Sequence, residues 1–148
     1  MNLNFSWLRL LVLLPPIGVF SFDAMAATDN EVQARSGALE VAGAFSNDGF
    51  KIRDGYWSDT ISPKESKLIE VNLYAGNQYW FITAASDAAK HLSVRVYNEN
   101  GKPISTEPYE NNAKSAAGFS PQYSGPYYVR VSELEGAPAA FCLLYSYK

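Results

Sequence analysis

The sequence predicts a mainly β protein: an antiparallel β-sandwich of seven or eight short strands that follows one short helix. Apolar residues alternate with polar ones in several runs, and turn residues separate the runs. The segment 118–131 is the most informative, because a Ser124-Gly125-Pro126 corner leads into a strand with Tyr127, Val129 and Val131 on one face. Gly tolerates positive φ and Pro fixes φ, so the chain can turn sharply there and continue extended. Many short strands with frequent turns are typical of a sandwich.

Residues 1–26 have the features of a signal peptide. Arg9 precedes an apolar stretch, and Ala24-Met25-Ala26 supplies small residues at the −3 and −1 positions of a cleavage site. A membrane anchor is the alternative, but the stretch from Leu10 to Phe22 is shorter than the roughly 20 apolar residues that a span needs. We therefore expect cleavage near Ala26, a periplasmic or secreted bacterial protein, and no membrane span after leader removal.

Composition limits the functional classes. The 148-residue chain carries a net charge of −3, which does not suggest a nucleic-acid partner. Cys142 is the only cysteine, so a disulfide within the chain is excluded. Because Cys142 lies in a strongly apolar stretch, we expect an inert buried thiol. Pairing of Cys142 with another chain remains the alternative.

Residues 27–48 are predicted to form the N-terminal helix. Thr28 and Glu31 have the spacing of a capping box, and Asn47-Asp48-Gly49 ends the segment. Gly37 and Gly43 each weaken a helix by about 1 kcal/mol relative to Ala, so the helix must dock on another element. The apolar residues at helical spacing, which we expect to face that element, are Val32, Leu39, Ala42 and Phe45.

Residues 49–148 are predicted to form the sandwich domain. Short extended runs begin at Phe50 and Tyr56, and a turn is predicted at residues 62–65. Residues 79–84 are uniformly apolar, which indicates a central strand. Between the turn at 62–65 and this central strand, the alternating residues Ile69, Val71 and Leu73 predict a half-buried strand.

The second half of the domain continues the period of two. A strand with Leu92, Val94 and Val96 on one face is followed by Asn100-Gly101, a hairpin signal. Residues 106–112 are polar and predict a long loop. Strands are then predicted at residues 115–119 and 127–131, with a turn at 135–138. The last strand carries the alternating residues Phe141, Leu143, Tyr145 and Tyr147.

The order of these pieces from about residue 56 to 148 resembles the bacterial pre-peptidase C-terminal domain family. This resemblance implies a jelly-roll-like sandwich and a stand-alone, small exported member, since the chain has no room for a peptidase domain. Members of the family are usually appended to secreted peptidases. The matching residues are Gly76, Tyr79, Leu92, Val94, Val96, Tyr97, Gly101, Phe119, Pro121, Ser124, Gly125, Tyr127, Val129, Val131, Phe141, Leu143 and Tyr145.

Some members of this family carry calcium, so we consider a calcium site in this chain. Where the family often has two acidic residues before the strand that here begins at Leu92, this chain has Asp87 followed by Lys90 and His91. Calcium prefers several oxygen ligands, so we expect no metal site and no cofactor here. A weak calcium site remains an alternative, built from residues 98–100 or from Glu107, Glu110, Asn111 and Asn112.

No set of residues predicts catalysis. His91 is the only histidine, and a catalytic His needs a nucleophile and an orienting partner. A Cys142–His91 pair would require both side chains to be exposed and close. The acids Asp54, Asp59, Glu107 and Glu110 lie in polar segments, where nothing shifts a carboxyl pKa strongly.

Three aromatic residues are the candidate ligand-binding residues: Trp80, Tyr97 and Tyr128. They fall opposite the Val and Leu rows, so the alternation leaves them on an outer face. Exposed rings can stack on sugars or hold an extended peptide. The alternative is that the N-terminal helix covers that face.

The sequence therefore predicts a non-catalytic exported binding module of the bacterial envelope. The expected partner is an envelope protein, a peptide or a glycan. Two alternatives remain: a hydrolase or an accessory domain of a secreted hydrolase, and a structural or assembly role through a sheet edge.

Overall fold

The computed structural model describes residues 27–148, so the predicted signal peptide lies outside the described residues. This part contains one helix and nine strands, one or two strands more than the sequence predicts. The additional strand arises because a polar segment also pairs. In chain order the elements are α1 (Asp29–Ser46), β1 (Lys51–Ile52), β2 (Trp57–Ile61), β3 (Ser66–Leu73), β4 (Tyr79–Ala85), β5 (Ala89–Asn98), β6 (Glu107–Asn111), β7 (Lys114–Phe119), β8 (Gly125–Gly136) and β9 (Ala139–Tyr147).

The strands form two antiparallel sheets, as the sequence predicts. The six-stranded sheet has the order β1-β9-β4-β7-β6, and β2 also pairs with β9. The three-stranded sheet has the order β3-β8-β5, so β3 and β5 are its edges. Between the sheets lies the main core, which contains the period-two rows through Val71, Val94, Val129 and Leu143. The mainly β sandwich with one helix is therefore confirmed.

The central position predicted for residues 79–84 is also found. β4 pairs with β7 on one side and β9 on the other, and all seven of its residues are buried. Both faces are apolar because one row faces the core between the sheets and the other row faces α1. No described helix combines the length and the apolar character that a membrane crossing requires.

α1 begins as predicted, with Thr28 as its N-cap in a complete capping box. The predicted docking face is partly wrong, because Val32 is 56% exposed and Leu39 is 40% exposed. Small residues form most of the buried face instead. A Cβ atom on Gly37 would lie 3.1 Å from the Cβ of Ala84, so glycine permits the close approach of helix and sheet. The buried residues of α1 are Ala34, Ala38, Val41 and Ala42.

The polar segment predicted as a long loop at residues 106–112 contains β6. All five residues of β6 are exposed, because this strand is the edge of the six-stranded sheet. Asn111 pairs with Lys114, so a two-residue turn joins β6 to β7. Asn112 adopts a φ of 53°, a left-handed conformation that Asn tolerates. Because both faces of this edge strand are exposed, its sequence lacks the alternation of apolar and polar residues that predicts a strand.

The Asn100-Gly101 signal produces a tight turn but a minimal hairpin. Gly101 has a φ of 73°, and the Asn98 side-chain oxygen accepts from the backbone N–H of Asn100 and Lys102. One bridge follows, between Tyr97 and Pro103, before the chain crosses to the other sheet.

Candidate functional site

The outer face of the three-stranded sheet, here called the open face, brings two predicted binding residues together. Tyr97 of β5 lies directly opposite Tyr128 of β8, and both side chains are half-buried. Directly opposed residues on neighbouring antiparallel strands have Cβ atoms about 4.5–5.5 Å apart, so the two rings are neighbours. The sequence prediction that these two tyrosines share an outer face is thus found in the structure.

Arg130 and Leu68 extend this aromatic pair. Arg130 lies next along the same face of β8, and its guanidinium carbon lies 5.1 Å from the centre of the Tyr97 ring. Leu68 on β3 pairs with Arg130 and is 62% exposed. Together with Ser66, these residues line a shallow, mainly apolar groove of about 420 Å³. Cavities of roughly 300–1,000 Å³ are typical of ligand sites.

Charges flank the groove in a defined pattern. Arg95 on β5 lies directly opposite Arg130 on β8, so two guanidinium groups share one part of the face. Glu70 lies opposite Tyr128 on the other side, and Glu99 lines the groove. The open face therefore presents an apolar centre with a positive flank and separate carboxylates.

Trp80, the third predicted binding residue, does not belong to this face. It lies on the outer face of the six-stranded sheet, is 9% exposed, and stacks on Phe45 of α1 with ring centres 4.2 Å apart. Gly118 on the paired strand makes room for the indole, since a Cβ there would come within 2.7 Å of the ring. The expectation that Trp80 offers an exposed ring is wrong, because α1 covers it, which was the alternative for that face.

Sequence analysis missed a second concave surface, here called the aromatic cleft. It lies at one end of the sandwich, between the end of β3 and the adjoining ends of β2, β4 and β9, and has a volume of about 470 Å³. Alternation places Tyr145 and Tyr147 on the inner face, but it does not show that the sheets separate around them. The lining residues are Arg53, Trp57, Glu70, Val71, Asn72, Tyr74, Asn77, Tyr79, Tyr145 and Tyr147.

The residues considered for catalysis do not come together as a nucleophile and base. Cys142 is fully buried, and burial raises the pKa of its thiol to about 11. A nucleophilic cysteine needs a thiolate and access, and Cys142 has neither at neutral pH. The Nε2 of His91 lies 3.8 Å from Glu110 on the exposed surface.

One buried acid was not predicted. Glu133 is fully buried on β8, and neither carboxylate oxygen has a hydrogen-bond partner among residues 27–148. Burial, with a smaller contribution from the charge of Glu65, raises the pKa of the Glu133 carboxyl. The Oε1 of Glu65 lies 3.0 Å from the Nζ of Lys67. This contact, together with a hydrogen bond from the backbone N–H of Ser62, lowers the pKa of the Glu65 carboxyl.

The segments considered for calcium have other contacts. The side-chain oxygen of Asn98 accepts two backbone hydrogen bonds within its own turn, and Glu110 lies beside His91. Within residues 27–148, no three His, Cys, Asp or Glu side chains are grouped so that they could hold a metal ion.

The chain matches no family model and no curated protein. Among solved structures it is similar to a de novo designed double-stranded beta-helix determined by solution NMR, at 15% identity and a TM-score of 0.37, over 62% of this chain and 97% of that chain. It is also similar to the SPBc2 prophage-derived protein YomS, at 10% identity and a TM-score of 0.32, over 64% and 98% of the two chains. Likenesses of this strength carry no argument about function, and the resemblance to the pre-peptidase C-terminal domain stays a prediction.

Proposed function

We propose that this protein is a non-catalytic, exported binding module of the bacterial envelope that holds a protein or peptide partner on its open face. The observation that carries the proposal is the uncovered groove formed by Leu68, Tyr97, Tyr128 and Arg130. Tyrosine and arginine dominate the binding energy of protein interfaces, because they combine a large contact area with polar tips. Leu68, 62% exposed on the edge strand beside them, adds apolar surface that a partner can bury.

The charges indicate what the partner presents. Arg95 and Arg130 lie side by side, and the enclosed Nε of Arg130 has no hydrogen-bond partner among the described residues. Because that Nε is buried, a partner carboxylate pairs with the terminal guanidinium nitrogens of the two arginines, in charge-assisted hydrogen bonds. The partner therefore carries an apolar side chain for the groove and an adjacent acidic residue for the two arginines.

Site-specific photo-crosslinking in the native host tests this function. A photoreactive phenylalanine analogue replaces Tyr128 in the full chain, and a matched control carries it at Val32, which is 56% exposed on α1. We expect one discrete protein adduct at position 128, none at position 32, and loss of the adduct when Arg130→Glu is added.

The opposite results contradict the proposal. Equal adducts at both positions indicate contact by random encounter, and no adduct at position 128 removes the open face as the partner site. An adduct that persists in Arg130→Glu excludes the acidic partner group. The native melting temperature of each variant serves as the folding control.

A further inference from the structure

The aromatic cleft lies at the end of the sandwich away from the turn that joins β2 to β3. Near that turn, Lys67 lies 3.2 Å from Asp59 and 3.0 Å from Glu65. Toward the opposite end, Trp57 of β2 and Val71 of β3 flank the cleft. The two sheets therefore close at one corner and leave about 470 Å³ at the other.

Five aromatic residues line this space: Trp57, Tyr74, Tyr79, Tyr145 and Tyr147. Trp57 and Tyr145 are nearly parallel, with ring centres 6.2 Å apart and an interplanar angle of 19°. Tyr79 packs against Tyr145 at 6.0 Å and against Tyr147 at 6.5 Å. Tyr74 completes the rim and is 66% exposed. Tyr74, Tyr147 and the half-buried Trp57 thus offer ring surface to a ligand. Tyr79 and Tyr145 are buried and pack against Tyr147 and Trp57.

Hydrogen bonds fix the rim of the cleft. The Tyr79 hydroxyl accepts from the backbone N–H of Tyr74 and from the side-chain amide of Asn77, each at 3.0 Å. Gly76 adopts a φ of 93°, which the turn between β3 and β4 requires. A rim fixed in advance lowers the entropy cost of binding.

The polar groups of the cleft are balanced in charge. Arg53 packs on the Tyr145 ring at 5.4 Å, and Glu70 supplies the opposite charge. Asn72 and Asn77 add amide donors and acceptors. A ligand that fits this lining has flat apolar faces for the rings and neutral hydroxyl or amide edges for the polar groups.

A pyranose ring has this combination. Its C–H face is apolar and packs on an aromatic ring, while its hydroxyls exchange hydrogen bonds with carboxylate, guanidinium and amide groups. We propose that the aromatic cleft binds a neutral oligosaccharide, with one sugar ring between Tyr74 and Trp57. This proposal does not depend on the protein-binding function proposed for the open face, although Glu70 borders both surfaces.

Nuclear magnetic resonance of the indole N–H groups tests the proposal. The full chain is titrated with cellotriose, chitotriose, maltotriose and mannotriose to about 10 mM, where a millimolar site is mostly filled. Trp57 lies in the cleft and Trp80 lies beneath α1, so their resonances, assigned with Trp→Phe variants, give an internal comparison. We expect at least one trisaccharide to shift the Trp57 resonance and leave Trp80 unmoved.

Tyr74→Ala then removes one ring face and is expected to weaken that binding about tenfold or more. The backbone N–H of Tyr74, not its side chain, donates to Tyr79, so the rim hydrogen bond is retained. Tyr123→Ala is the matched control, because Tyr123 is 77% exposed and lies outside the cleft.

Several outcomes overturn the proposal. They are no movement of Trp57 with any of the four sugars, equal movement of Trp57 and Trp80, and equal losses from Tyr74→Ala and Tyr123→Ala. Preference for a trimer of galacturonic acid over every neutral sugar excludes the neutral class. Displacement of the sugar by an aromatic tripeptide at lower concentration assigns the cleft to peptides instead.

Discussion

The two outer faces of the sandwich carry similar residues and have different environments. On the six-stranded sheet, α1 covers Trp80 and leaves it 9% exposed. On the three-stranded sheet, nothing among the described residues covers Leu68, which is 62% exposed. Aromatic residues on the outer face of a sheet, on the side away from the main core, can therefore form either a second core or a binding surface. The difference lies in whether another element packs on it.

Truncation of one aromatic residue on each face gives the largest expected contrast. Trp80→Ala is expected to lower the free energy of unfolding by about 3–5 kcal/mol, because it leaves a cavity beneath α1. Tyr128→Ala is expected to cost about 1 kcal/mol or less, because its ring is only half-buried. Urea denaturation of the full chain measures both. Equal losses would show that the open face is also covered in the native protein.

Thiol labelling compares access to the two faces in a single molecule. The variant Leu68→Cys carries one thiol on the open face and Cys142 beneath α1. Alkylation of Cys142 is expected to be at least about a hundredfold slower, since it requires local opening of the helix.

The pH dependence of labelling has a defined sign. An ordinary cysteine is half ionised near its usual value of 9.0, whereas the pKa of Cys142 is raised to about 11, so at intermediate pH its thiolate fraction stays lower. Mass spectrometry of timed samples measures the two rates, and denaturant, which should make them equal, is the control. Comparable rates in the native protein would contradict stable docking of α1.

A glycine pair gives the smallest expected effect and tests the docking geometry. Gly118→Ala should lower the free energy of unfolding by about 1–2 kcal/mol, because its new Cβ would come within 2.7 Å of the Trp80 ring. Gly43→Ala should raise it by up to about 1 kcal/mol, since nothing lies within 4 Å and alanine favours the helix. Thermal unfolding distinguishes them, and a gain in Gly118→Ala would show that Trp80 is free to move.

Much of the sandwich was accessible from the sequence, but the candidate sites were accessible only in part. Alternation correctly placed Val129 and Leu143 in the core, and it placed Tyr97 and Tyr128 on an outer face. It failed for β6, because an exposed edge strand has no buried row to produce a pattern. Helical spacing correctly placed Ala42 and Phe45 on the docked side of α1, but it misplaced Val32 and Leu39, which are exposed.

The aromatic cleft shows why sites are harder to predict than strands. Its residues come from separated segments of the chain, and each one alone has the pattern of an ordinary inward-facing or turn residue. Only the packing of the two sheets brings them around one space. The buried carboxyl of Glu133 is similar, since its environment depends on residues from other segments, among them Glu65 and Gly136.

The sequence by itself determined which residues share a face of each strand, where α1 begins, and that a mainly β sandwich forms, because side-chain period and capping are local properties of the chain. Tertiary structure alone decided that α1 covers Trp80, that the face with Tyr97 and Tyr128 stays open, and that five rings surround a cleft. These features depend on contacts between residues far apart in the chain, and local periodicity contains no information about which surfaces will meet.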